Sequence, residues 1–65
     1  MKRGLLNVHE VAELMRVHPE TVRVLARRKD LEAVKVGRGP RAAYRFTPRA
    51  VANYLGVRVE DLPAA

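Results

Sequence analysis

The sequence predicts a mainly α domain with a small β-hairpin, three short helices plus a two-stranded wing. Three observations predict it. Apolar residues recur at helical spacing in three stretches, near 8–15, 19–28 and 48–55. Apolar and polar residues alternate in "AVKVG" and "AAYRF", on either side of the turn-forming "GRGPRA". Each helical stretch is preceded by a residue placed to cap it or followed by one placed to end it.

The first helix is the most fully specified. Asn7 is a good N-cap and Glu10 stands at N3, the pattern of a capping box, while Leu6 at N′ and Val11 at N4 form a hydrophobic staple. Val8, Val11, Ala12 and Met15 share one stripe, with Leu14 at its edge, which sets the helix at Val8 to Met15. "RVH" is then a turn with Val17 directed into the core. Pro19 opens the second helix at N1, where its missing N–H costs nothing, and leaves His18 as a poor N-cap. Two helices joined by about three residues read as a helix-turn-helix.

At 100° per residue Val22, Leu25 and Ala26 form the inward face of the second helix. Glu20, Val24 and Arg27 point the opposite way, flanked by Arg23 on one side and by Thr21 and Arg28 on the other. Val24 is thus the one large apolar side chain on a polar outer face. Isolated exposed valines are common; among arginines, this one is also suited to a thymine methyl. In the hairpin, Val34 and Val36 share a face opposite Lys35, and Tyr44 and Phe46 share a face opposite Arg45. Thr47 caps a third helix with Pro48 at N1, Ala50, Val51, Tyr54 and Leu55 form its apolar face, and Gly56 ends it. The domain is therefore set at residues 1–56. The tail 57–65, "VRVEDLPAA", is compatible with fraying, with one turn, or with docking on another subunit.

Charge placement is more informative than the net charge of +6. Residues 16–49 hold ten basic side chains against only Glu20, Asp30 and Glu32, whereas the two flanking segments are balanced or slightly acidic. Such a basic stripe is the electrostatic footprint of a nucleic-acid binder. The absence of cysteine excludes disulfides and thiolate zinc. No apolar run approaches a membrane span, and "MKRG" lacks a following apolar signal core, so a soluble cytoplasmic, nucleoid-associated protein is expected. His9 and His18 lie on separate elements with nothing converging to complete a metal site, and Gly37 and Gly39 read as a turn rather than a nucleotide fingerprint. No nucleophile–base pair is evident. The expectation is a non-enzyme without cofactor.

Taken in order, these segments resemble a known family. "LLNVHEVAELMRVHPETVRVLARRKDLEAVKVGR" is similar to the opening of excisionase-type and MerR-type helix-turn-helix domains, in which an "LLT-x-x-EVAELLGV" helix precedes "S-P-x-T-[IV]-R". "AVKVGR…YRF-x-P-x-A" resembles the wing and following helix of that family. The resemblance covers residues 5 to 55 and implies a winged helix-turn-helix that binds DNA. Lys29 stands where that family usually has glycine, which implies a turn built differently, and His18 replaces the usual serine or aspartate cap. The coiled coil and effector domain of full MerR regulators are absent from these residues, so no small-molecule effector is expected.

The function expected is sequence-specific binding of double-stranded DNA, as a small transcriptional regulator or an excisionase-like architectural factor. The recognition helix 19–28 enters the major groove, with Arg23 first and Glu20, Thr21, Val24 and Arg27 next as readers of base edges. The wing 37–42 brings Arg38 and Arg41 to the backbone or the minor groove, and Arg28, Lys35 and Arg45 suit phosphates. Cooperative self-association on tandem sites through wing and tail is the further partner expected. The rival reading is a protein-interaction adaptor, antitoxin-like or an assembly factor, docking an acidic partner.

Overall fold

Asn7 ties the chain into its first helix. In the computed structural model, which describes residues 4–37 and 43–62, its side chain accepts from the Glu10 N–H at 2.8 Å, and the Glu10 carboxylate accepts from the Asn7 N–H at 2.8 Å. The capping box read from the sequence is therefore present. The elements that follow are α1 (Val8–Met15), α2 (Pro19–Arg27), β1 (Val34–Val36), β2 (Ala43–Arg45) and α3 (Pro48–Leu55), then a single 3-10 turn at Val59–Asp61. This is a small winged helix-turn-helix. The second helix stops one residue before the expected Arg28, which instead serves as its C-cap. His18 caps better than its rank suggests, because its Nδ1 accepts from the Glu20 N–H at 3.0 Å.

All three α-helices end the same way. At each terminus one residue adopts a left-handed conformation, and its N–H and the next N–H return to carbonyls of the last turn: Arg16 to Glu13 and Val17 to Ala12, Lys29 to Ala26 and Asp30 to Leu25, Gly56 to Asn53 and Val57 to Ala52. These are Schellman closures, which favour glycine at the left-handed position. Only α3 has it, Gly56 at φ 75°. Arg16 and Lys29 hold φ values of 58° and 65°, a conformation that costs a residue with a side chain about 1–2 kcal/mol. The turn after α2 is thus the one glycine would make, built with Lys29 in its place, and not the different turn the sequence implied.

The core is wholly apolar among the described residues. Val11, Val22, Leu31, Phe46 and Val51 are fully buried, one or more from each part of the fold, with Leu6, Val8, Ala12, Ala26, Ala50, Ala52 and Leu62 around them. Leu14, Met15, Val17, Leu25 and Tyr44 pack against this cluster. Phe46 also exchanges two backbone hydrogen bonds with Leu6, at 2.7 and 2.8 Å, so the N-terminal segment lies beside the base of the hairpin as a one-residue third strand.

Two apolar faces differ from expectation. On α3, Ala52 is buried, while Tyr54 and Leu55 are 43% and 40% exposed. The chain beyond Gly56 turns through Val59–Asp61 and puts Leu62 into the same buried cluster as Ala52. In the hairpin, Val34 pairs with Arg45, Lys35 with Tyr44 and Val36 with Ala43. Directly opposed residues share a face, so Lys35 and Tyr44 are on one side and the two valines lie with Arg45 on the other. Val34 and Val36 are about half exposed, at 50% and 48%. Gly37, at φ 94°, then leads into the tip in a conformation open to glycine.

Loss of the capping box should be felt throughout so small a domain. Asn7→Ala is expected to cost about 1–2 kcal/mol, lowering Tm by roughly 4–8 °C per kcal/mol in a thermal melt followed by circular dichroism. A change below 2 °C would show that α1 does not depend on its cap.

Candidate nucleic-acid interface

The second helix has one face for the core and one for solvent. Val22 is fully buried, Ala26 is nearly so, and Leu25 packs against the core, which anchors α2 on α1. The opposite face carries Glu20, Thr21 and Arg27, all exposed, with Arg23 and Val24 half-buried beside them. Val24 is therefore a partly covered apolar patch among charges rather than a fully exposed side chain.

Glu20 organises this face. Its two carboxylate oxygens accept separately, one from Arg23 at 3.3 Å and the other from Arg27 at 3.3 Å. The three side chains share one side of the helix, because spacings of three and seven residues return to within about 60° and about 20° of the starting angle. Both pairs are solvent-exposed, so each contributes at most about 1 kcal/mol and is readily exchanged for another partner. What the fork does is fix where two guanidinium groups wait. Arg28 lies outside this fork and pairs with Asp30 at 3.3 Å.

The hairpin adds cations from two directions. Lys35 is exposed on the face shared with Tyr44, towards the C-terminal end of α2, and lines a groove there with Arg27 and Lys29. Arg45 lies on the opposite face and donates to the Tyr44 carbonyl at 3.0 Å. Lys35 and Arg45, each read from the sequence as suited to a phosphate, thus lie on opposite faces of the hairpin. Arg38 and Arg41 lie outside the described residues. Lys29 and Tyr44, which also line this groove, were not among the site residues singled out from the sequence; the unusual lysine at a glycine position was the one signal that pointed to Lys29.

The short-turn helix pair, the arginine-bearing outer face of its second helix and the following hairpin agree with what the family comparison finds. A family model described as a helix-turn-helix domain matches residues 5–55. The chain belongs to the helix-turn-helix domain family. No curated protein and no solved structure matches it. In this helix-turn-helix domain the matched span takes in both helices of the motif, the hairpin and α3, and DNA is the partner such a domain supports. Among the described residues no helix is long and apolar enough to cross a membrane, and no three His, Asp or Glu side chains converge as metal ligands.

The Glu20 fork makes a testable difference to affinity. Glu20→Gln removes a negative charge from the arginine face and frees Arg23 and Arg27. Affinity for random duplex should rise by about threefold, from the ~0.6 kcal/mol of exposed charge interaction lost, with little change in Tm. Unchanged affinity in an anisotropy titration would show that the fork does not restrain the arginines.

Proposed function

We propose that this chain is a sequence-specific double-stranded DNA-binding protein that acts by binding and not by catalysis, as a small transcriptional regulator or an excisionase-like architectural factor. One observation carries the reading: the outer face of α2 presents Arg23, Arg27, Glu20, Thr21 and Val24 together, while the inner face alone anchors the helix in the core. A helix held by one face is free to insert the other into the major groove, about 12 Å wide, where base edges are read. Arg23 is suited to guanine, with bidentate hydrogen bonds from its guanidinium to O6 and N7; Glu20 is suited to the N4 amino group of cytosine, and Val24 to a thymine methyl. Arg28, Lys35 and Arg45 are suited to phosphates, and the hairpin to the adjacent backbone or minor groove.

A single recognition helix reads few base pairs, too few for a unique genomic address. Cooperative binding of several copies on tandem sites answers that need, with the hairpin and the segment after Gly56 as the surfaces that meet. In the free chain Glu60 and Asp61 are already engaged by Arg58, at 3.9 and 3.4 Å. These exposed pairs are weak enough to exchange for an arginine of a neighbouring copy.

Selection of bound sites from a random duplex pool, followed by titration at several salt concentrations, tests the reading. With about 4–6 phosphates contacted per subunit, log K should fall against log salt with a slope near −4 to −5. Arg23→Ala and Val24→Ala should change the preferred sequence, and Lys35→Ala should weaken all duplexes alike. A flat salt response, or enrichment of no sequence, would reject specific DNA binding and favour an adaptor for an acidic protein.

A further inference from the structure

We propose that the groove between the C-terminal end of α2 and the Lys35–Tyr44 face of the hairpin is a phosphodiester-binding site, and that Lys29, in its left-handed position, serves it. The proposal rests on the DNA-binding reading and deepens it. Its ligand is a backbone phosphate of double-stranded DNA.

The first observation is conformational. Lys29 sits at φ 65° at the point where the Schellman closure of α2 favours glycine. Few non-glycine residues adopt such a conformation, and those that do so are enriched in Asn, Asp and His rather than lysine. A cation near a helix C-terminus gains from the helix dipole, but Arg27 and Arg28 already supply that charge from ordinary helical geometry. Arg16 holds the same conformation at the end of α1, so the backbone angle alone marks no site; what distinguishes Lys29 is that it lines a groove.

The second observation is the groove itself, an open concavity of about 830 Å³. Lys29 enters it from the helix end and Lys35 from the hairpin, with Arg27 at the rim, Tyr44 on the wall and the buried Leu31 contributing to the lining. The hairpin register places Lys35 on the same face as Tyr44. Glu32 is the one carboxylate lining the groove, leaving three cations against one anion. Among the described residues neither Lys29 nor Lys35 pairs with a carboxylate.

Duplex geometry supplies the ligand. Adjacent major and minor grooves are separated by one sugar–phosphate strand. With α2 in the major groove and the hairpin against the neighbouring minor groove, that strand must cross the gap between α2 and the hairpin. The groove of Lys29 and Lys35 lies in this gap. A site of this kind orients the domain without reading sequence.

The test uses the full chain and one duplex carrying the selected site, with thermal melts and anisotropy titrations across a salt series. Lys29→Gly relieves the left-handed strain and removes the charge. It should raise Tm by roughly 4 °C, weaken binding about fivefold, and make the salt slope shallower by about 0.9. Lys29→Ala keeps the strain, so it should lose the same affinity without the gain in Tm. Lys29→Arg should retain the slope, and Glu32→Gln should tighten binding about twofold. Base preference should be the same in all of them. Wild-type slope and affinity in both Lys29→Gly and Lys29→Ala would overturn the site, and an unchanged Tm in Lys29→Gly would overturn the strain. Failure of the underlying reading is separately visible, because the wild-type chain would then show no salt-dependent duplex binding at all, and the site would fall with it.

Discussion

Phe46 is the point on which the rest of the structure depends. It is the only phenylalanine in the chain and the largest of the fully buried residues. Its ring fills the core, its backbone exchanges two hydrogen bonds with Leu6, and the next residue, Thr47, caps α3 by accepting from the Ala50 N–H at 3.0 Å. The start of α1, the base of the hairpin and the start of α3 therefore converge at one residue. A domain of about 60 residues buries only roughly 60% of the surface its unfolded chain exposes. Such a small core cannot spread its stability over many redundant contacts. The hairpin, two three-residue strands with an exposed valine face, is marginal alone. It is held in position because Phe46 roots it in the same cluster that holds α2.

That rooting links fold to function. An interface built from α2 and a hairpin requires the two to keep a fixed separation, close to that between neighbouring grooves of a duplex. Val22 and Ala26 fix the helix from beneath, Phe46 fixes the hairpin, and Leu31 between them is buried in the connecting loop. The loop begins with the left-handed Lys29. A strained residue persists only where the surrounding structure over-determines it, and here the two Schellman hydrogen bonds and the burial of Leu31 do so. The outer face of α2 shows the opposite economy. Its charges are held only by the exposed Glu20 fork, a weak restraint that DNA can replace at little cost.

Much of this was legible in the sequence because it is written in local spacing. Asn7 and Glu10, Pro19, Thr47 with Pro48, and Gly56 are signals that act within one helical turn, and they place the helix ends to within a residue. The outer face of α2 follows from 3.6-residue periodicity, whereas the fork of Glu20 with Arg23 and Arg27 was not read from it, since one of its two arms spans seven residues. What local spacing could not supply depends on chain segments far apart. The Leu6–Phe46 bridge joins residues forty positions distant. On α3 it is Ala52 and not Tyr54 that joins the core cluster, to which Leu62 returns from beyond the helix. Alternation shows that Val34 and Lys35 face opposite ways, yet only the strand register shows that Lys35 shares its side with Tyr44 and faces the groove. The left-handed Lys29 was visible only as an oddity, since a lysine carries no sign of its own backbone angle.

The outer face of α2 is proposed as the surface that meets DNA. The most direct measurement is a two-dimensional amide NMR titration of the labelled chain with a duplex carrying the selected site. The account requires the largest shifts at Glu20, Thr21, Arg23, Val24 and Arg27, with a second group at Lys29 and Lys35, and small shifts at Val11, Val51 and Ala52 in the core. Largest shifts at Tyr54, Leu55, Val57 and Val59, with the α2 face unmoved, would contradict it.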